Sequence, residues 1–249
     1  MNKRERFLSE MKENILTPYE ADSEGEEGGG KFRNQVEEKH FQHFIDNTQP
    51  ENTILDLACG DGRHTLRLAE RVGKVIGIDF SRNSLGKAKK KCMERDNVAF
   101  TEGSMFQLPF TLKTFDGIWF AEAFEYVPPE KRMELLSSLN DVLKDSGILH
   151  MSVETWQSSI VITSLRQLWT RFRLYCYWKF IKRKPLLWGE FIYYEPFIET
   201  LGLDAWHYHV HTSTRTLRRL LYECGFAMEK LDLSSGGIYV LCRKTNKGA

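Results

Sequence analysis

The segment ILDLACGDGRHT, Ile54 to Thr65, passes from an apolar run through a loop holding Gly60 and Gly62 into a helical pattern with Leu66, Leu68 and Ala69 on one face. That order predicts a buried parallel strand, a tight glycine turn and a helix start. Glycines let backbone N–H groups come close to a ligand, and a helix N-terminus favours an anionic group. A nucleotide-like cofactor is the first expectation. Asp56 sharpens it. A carboxylate at the end of an apolar strand is costly to bury unless it meets a donor or a cation, which points to a ligand that carries positive charge.

The next fifty residues narrow the choice. VIGIDFS, Val75 to Ser81, reads as a second apolar strand with Asp79 at its carboxyl end, 23 residues after Asp56. An acidic residue at about that separation can accept hydrogen bonds from ribose hydroxyls. Dinucleotide-binding proteins share this feature, but their fingerprint is GxGxxG. Here Gly60 and Gly62 are followed by Thr65, so the third glycine is missing. Asp56 facing the loop would also serve two phosphates poorly. A sulfonium ligand with an amino group would be served well.

On these residues the chain resembles the class I S-adenosylmethionine-dependent methyltransferases, from about Gln35 to Gly147 and more weakly from Thr212 to Arg243. The family's acidic residue and alternating glycines match at Asp56, Gly60 and Gly62, with Ala58 where the first glycine usually stands. The acidic residue ending the second strand matches at Asp79, followed by Phe80. FTEGSMFQLPF, Phe100 to Phe110, resembles the third strand and adenine loop, with Gly103, Ser104 and Met105 in the loop. Ser104 stands where members often carry Asp. FDGIWFAEAFEYV, Phe115 to Val127, resembles the fourth strand, with Ala121 and Glu122 beside the methyl donor. The resemblance implies an α/β fold: a Rossmann-like, doubly wound, seven-stranded, mainly parallel sheet with an antiparallel C-terminal hairpin, plus a helical, aromatic-rich cap insertion. It implies S-adenosylmethionine as cofactor and S-adenosylhomocysteine as product. Cofactor contacts are then expected from Asp56, Ala58, Cys59, Gly60, Gly62, Asp79, Phe80, Gly103, Ser104, Met105, Ala121 and Glu122.

Composition sets the remaining bounds. With 249 residues, 41% of them hydrophobic and 28% charged, the chain can bury the core of one good-sized domain. A net charge of +1 gives no global attraction to nucleic acid. Five scattered cysteines without a CxxC pair predict neither a disulfide framework nor a zinc site. The N-terminus lacks the apolar core of a signal peptide, so a cytoplasmic setting is expected, with a peripheral position at a membrane as the alternative. Residues 1–33 read as a flexible arm or lid, helical from Arg4 to Asn14, closing over the site with Tyr19 and a hinge at Gly28, Gly29 and Gly30. Residues 34–249 read as the methyltransferase domain. Strands are expected near Thr53–Leu57, Lys74–Asp79, Val98–Glu102, Gly117–Phe120 and Ile148–Val153, and helices near Arg63–Arg71, Arg82–Arg95 and Glu130–Leu143. A helix from Thr216 to Cys224 and a hairpin, Ala227–Leu233 with Gly237–Arg243, close the chain.

Residues 154–211 form the unusual part, the expected substrate-cap insertion. They hold five of the six tryptophans, with basic residues interleaved from Arg166 to Lys184. Helices are expected near Ser158–Lys182 and Glu190–Leu201. Three roles compete: a helical cap over a small-molecule pocket, a membrane-surface contact through 158–197, and an RNA-facing surface. A homodimer surface is a further alternative. Substrate contacts are expected from Tyr19, Tyr126, Trp156, Tyr194, His207 and His211, and a general base from Glu122, Glu125 or His209. In HYHVH the three histidines would share one face of an extended segment. No cysteine or second carboxylate cluster accompanies them, so no metal is expected. Taken together, the sequence predicts methyl transfer to O, N or S of a small, partly apolar or aromatic molecule. A tRNA wobble-uridine methyltransferase and a non-catalytic cofactor-binding partner or sensor are the alternatives.

Overall fold

The computed structural model describes residues 1–21, 34–157, 161–194, 196–204, 206–234 and 237–245, and leaves aside the side chains of Tyr19 and a few others. The chain begins with α1 (Lys3–Ala21) and α2 (Gln35–Asp46). The side chain of Asn34 caps α2 by accepting from the amides of Val36 and Glu37. Then β1 (Thr53–Leu57), α3 (Arg63–Ala69), β2 (Lys74–Asp79), α4 (Arg82–Lys91), β3 (Val98–Glu102), β4 (Phe115–Phe120), α5 (Arg132–Val142) and β5 (Leu143–Glu154) alternate as their apolar runs and helical periods predict. The insertion holds α6 (Val161–Cys176), a π-helical turn (Tyr177–Ile181), β6 (Glu190–Tyr194), α7 (Pro196–Thr200) and β7 (Trp206–Val210). Helix α8 (Thr214–Glu223) and the hairpin β8 (Phe226–Ser234) and β9 (Gly237–Lys244) complete the fold.

The seven strands lie in the order β3-β2-β1-β4-β5-β9-β8. Strands β1 to β5 pair in parallel, and β9 runs antiparallel to both β5 and β8. Strand β1 pairs with β2 on one side and β4 on the other. The order therefore reverses there, and a crevice opens beyond the carboxyl ends of these strands. The core beneath is aliphatic and aromatic, with Leu55, Leu57, Ile118, Phe120, Leu139 and Leu149 without exposed surface.

The insertion corrects two expectations. The segment read as a helix over Glu190–Leu201 is a strand, β6, followed by the short helix α7. The long helix read from Ser158 to Lys182 ends at Cys176 and continues as the π-helical turn; its first residues lie outside those described. Strand β6 pairs antiparallel with β7, placing Phe191 opposite His209 and Tyr193 opposite His207. This ribbon has two faces, as a period of two requires. Ile192, Tyr208 and Val210 pack with Phe7 and Ile15 of α1. Tyr193, His207 and His209 line the cavity described below.

The expected arm also proves longer in its helix than Arg4–Asn14, and it is docked. The Arg4 guanidinium meets Glu190 of β6, which has no exposed surface, with one bond at 2.8 Å, and reaches Glu130 at 2.8 and 3.0 Å. Asn14 donates to the carbonyl of Trp206 at 2.8 Å. The proposed hinge at residues 28–30 lies outside the described residues.

Candidate functional site

The loop between β1 and α3 shows why its residues are small. Three residues there take the left-handed backbone: Ala58 at φ 56°, Gly60 at 52° and Gly62 at 80°. A Cβ on Gly62 would sit 2.9 Å from the Cβ of Ala88 in α4, so close packing of loop on helix excludes any side chain. A Cβ on Gly60 would meet nothing within 4 Å. That glycine leaves its backbone open to the crevice, as a cofactor cradle requires. Asp79 ties the loop to β2: one carboxylate oxygen accepts from the amide of Gly60 and the other from the amide of Ser81, at 2.8 and 2.9 Å. Cys59 is buried, and burial pushes its thiol well up, which suits a small spacer and not a nucleophile.

Asp56 departs from the expected role. It does not line the cavity; it is buried behind the loop and accepts a 2.6 Å hydrogen bond from the Thr65 hydroxyl of α3. Burial pushes its carboxyl up to about 7. The positive ligand that its burial suggested is replaced by a hydroxyl donor and by that shift.

After β4, Glu122 also holds a left-handed backbone, φ 55°, and its amide donates to the Ser152 hydroxyl at 2.9 Å. Its carboxylate lies 3.2 Å from the Arg63 guanidinium. Arg63 in turn donates to both oxygens of Glu37 at 3.1 and 3.2 Å, and His64 meets Glu37 at 2.9 Å. Glu37 has no exposed surface. The sequence reading missed it, because an acid in the first turn of an amphipathic helix is usually solvent-facing dipole compensation.

A cavity of about 610 Å³ opens at these strand ends. One side carries Ala58, Cys59, Gly60, Asp79, Phe80, Met105, Ala121 and Glu122. The other carries Glu125, Tyr126, Glu154, Tyr193, His207 and His209, with Ile15 and Pro18 of α1 also in its wall. His209 Nδ1 donates to Glu154 at 2.7 Å, and His211 Nε2 lies 3.1 Å from the same oxygen. Burial opposes ionisation of Glu154, but the two imidazoles outweigh it and hold the carboxyl well below the usual range. Burial pushes His207 down to about 4 and lowers His211 as well. Tyr126 meets the rings of His207 and His209 edge-on, at 5.6 and 4.7 Å.

Other expected site residues fall outside the cavity wall. Gly62, Gly103 and Ser104 do not line it; the Ser104 hydroxyl accepts from the amide of Phe106 at 3.2 Å instead. Trp156 is half-buried away from it, Tyr194 is 43% exposed and bonded to Glu199, and His211 faces Glu154 and Phe191. The Tyr19 side chain lies outside the described residues. Glu154 was missed as a site residue, because its role depends on β5 ending opposite β7. With His209 and His211 it makes a cluster of metal-ligating types, their ligand atoms within 4.8 Å of one another. His209 already bonds Glu154, and Arg171, whose guanidinium lies 5.7 Å from the Tyr193 ring, adds positive charge beside that carboxylate.

Residues 54–147 match the family model of a methyltransferase domain. The chain carries an S-adenosylmethionine-dependent methyltransferase domain of the class I fold. This methyltransferase is 28% identical over 187 residues to a demethylmenaquinone methyltransferase of Staphylococcus aureus, covering 74% of this chain and 71% of the relative. It is similar in fold to an S-adenosylmethionine-dependent methyltransferase from Methanosarcina mazei, with TM-score 0.65 and 19% identity over 81% of this chain and 96% of that one. A 1,6-didemethyltoxoflavin N1-methyltransferase from Burkholderia thailandensis, solved with 1,6-didemethyltoxoflavin and S-adenosylhomocysteine bound, gives TM-score 0.66 at 13% identity, covering 99% and 92% of the two chains. No helix among the methyltransferase's described residues is long and apolar enough to cross a membrane.

Proposed function

We propose that this methyltransferase acts on an O, N or S atom of a small, partly apolar or aromatic molecule bound between Tyr126, Tyr193 and the β7 imidazoles. The observation that carries the reading is a cavity with two unlike walls: glycine loop and Asp79 on one side, aromatic rings and imidazoles on the other. Its volume of about 610 Å³ lies in the range of small-ligand cavities. The demethylmenaquinone relatives and the 1,6-didemethyltoxoflavin enzyme are, by their names, methyltransferases of small molecules and not of polymers, which supports the same class here.

When bound, S-adenosylmethionine supplies a methyl group on a sulfonium sulfur. Asp79 would hold its ribose, the Gly60 backbone its methionine part, and Phe80 and Met105 its adenine. Ala121 and Glu122 would border the methyl group. Glu122 is held by Arg63, so its carboxylate serves orientation better than proton transfer. Of the base candidates, His209 has the strongest support: it lines the cavity, and Glu154 fixes its Nδ1 as a donor, so Nε2, which faces the Tyr193 hydroxyl at 3.3 Å, is the nitrogen able to take a proton. The Glu154 carboxylate then stabilises the imidazolium that forms. Ile15 and Pro18 of α1 help exclude water, which aids alignment of donor and acceptor.

The test is methyl transfer from labelled S-adenosylmethionine to a panel of aromatic alcohols, amines, thiols, quinols and unmodified tRNA. Turnover of a small aromatic acceptor that falls at least about 100-fold in His209→Gln supports the reading. Labelling of tRNA alone overturns it.

A further inference from the structure

The insertion carries a surface that methyl transfer does not use. Outer positions of α6 and the π-helical turn expose large apolar side chains: Trp169 is 62% exposed, Phe172 43%, Phe180 67% and Ile181 70%, with Trp188 of the following loop at 56%. The rings form one ridge, which Phe180 joins through Tyr175 at 6.5 Å. Trp169 stacks on Phe172 at 5.8 Å, and Phe172 and Tyr175 reach Trp188 at 6.3 and 5.2 Å. A protein that needed only to cover its pocket would turn these rings inward, since contiguous exposed apolar surface marks an interaction site.

Charge identifies the partner. Residues 155–189 contain seven Lys and Arg and no Asp or Glu, in a chain whose net charge is +1. The remainder of the chain is therefore net negative, and the positive charge is concentrated around the ridge. Arg166, Arg173, Lys182 and Arg183 are all exposed there. Exposed tryptophan and phenylalanine flanked by Lys and Arg is the composition that partitions into a bilayer interface, with rings at the acyl boundary and cations at anionic headgroups. A second copy of this chain would set seven positive charges against seven. RNA stacking would leave the aliphatic Ile181 unused.

We infer that the outer face of α6 and its π-helical turn docks on an anionic lipid surface, which deepens the proposed function by making a lipophilic molecule taken from the bilayer the acceptor. The inner side of α6 faces β6, where Arg171 lies over the rings of Phe191 and Tyr193, and Tyr193 lines the cavity. The docking face and the acceptor wall are thus about one helix diameter apart, ~10 Å.

Co-sedimentation of the full chain with phosphatidylcholine vesicles, with and without phosphatidylglycerol, tests this. Two paired variants accompany it, Trp169→Ala with Phe180→Ala, and Arg173→Glu with Lys182→Glu; all four positions lie outside the site, and calorimetric binding of S-adenosylmethionine verifies that each variant is folded. Strong sedimentation with anionic vesicles alone is expected. Each cation near such a surface strengthens binding roughly fivefold, so the charge pair should weaken it more than tenfold, and the aromatic pair should do so as well. No sedimentation of the wild type, or sedimentation unchanged in both pairs, would overturn the inference. So would a lipid-free dimer that dissociates in the aromatic pair, or tRNA binding lost in the charge pair. If vesicles bind and no small acceptor is methylated, the proposed function fails while the docking surface stands.

Discussion

His209 Nδ1 on β7 donates a 2.7 Å hydrogen bond to the carboxylate of Glu154 at the end of β5. The bond joins the insertion to the parallel sheet at the cavity wall. A carboxylate so placed fixes the tautomer of the imidazole and stabilises its protonated form. Glu154→Gln should lower kcat by about 10- to 100-fold, part of the range expected for a general base, and leave the affinity for S-adenosylmethionine within about threefold. Steady-state kinetics with the acceptor found in the panel decides it. Equal loss of cofactor affinity would make the pair structural.

His207 shares that face but is pushed down to about 4 by burial, so it is neutral at physiological pH. His207→Asn should change KM for the acceptor and leave the pH dependence of kcat between pH 6 and 8 where it was. A profile that moves with this substitution would transfer the proton-accepting role from His209 to His207.

Asp56 gives stability a specific pH dependence. Its folded-state carboxyl is pushed up from 3.8 to about 7. A raised acid binds its proton more tightly in the folded state, so its contribution is complete below about 3.8 and is lost as pH rises toward about 7. Asp56→Asn keeps an acceptor for the Thr65 hydroxyl and removes the titration. The melting temperature of the variant relative to wild type should therefore rise across this window and stay level above it. Scanning calorimetry at several pH values would show a constant difference if the account of Asp56 is wrong.

Two residues of one loop should respond in opposite directions. Ala58 holds a left-handed backbone at φ 56°, which costs a non-glycine residue about 1 kcal/mol. Ala58→Gly should stabilise by up to that amount and keep cofactor binding. Gly62→Ala combines φ 80° with a 2.9 Å approach to Ala88, so it should destabilise by roughly 2 kcal/mol or more and displace the loop from α4. Urea denaturation of both variants measures the two signs.

Arg4→Ala would leave Glu190, which has no exposed surface, with the Tyr208 hydroxyl at 2.6 Å and the Leu187 amide at 2.5 Å but no guanidinium. Removing one partner of a buried ion pair costs roughly 3–5 kcal/mol. The expected result is release of α1 and rapid proteolysis within residues 3–21, with slower methyl transfer because Ile15 and Pro18 leave the cavity wall. Proteolysis no faster than wild type would mean that the apolar contacts of Phe7 and Ile15 hold the helix unaided.

The parallel half of the fold was legible because its signals are local. Strands β1, β2 and β3 carry short apolar runs bounded by turns, and their observed limits are those the sequence predicts. The glycine loop was equally legible, since left-handed backbone and close approach leave few residue types. The insertion was not. Glu190–Tyr194 reads as helical by itself because its strand partner, WHYHV, begins at Trp206, beyond α7, and pairing at that distance leaves no mark in the segment itself. Glu37 and Glu154 were missed for a related reason: each is an ordinary helix or strand-end acid until the fold brings Arg63 or His209 to it. The cost of burying Asp56 is legible in its apolar strand, but its donor is Thr65, nine residues along the same chain.

The central claim is that one cavity holds S-adenosylmethionine at the glycine loop and Asp79, and the acceptor at the aromatic and imidazole wall. Calorimetric titration of S-adenosylmethionine into wild type, Asp79→Ala and Glu154→Gln tests it most directly. Micromolar binding to wild type and Glu154→Gln, weakened at least about 30-fold in Asp79→Ala by loss of charge-assisted hydrogen bonds, is the result expected. Binding unaffected by Asp79→Ala, or abolished by Glu154→Gln, would contradict the division of the site.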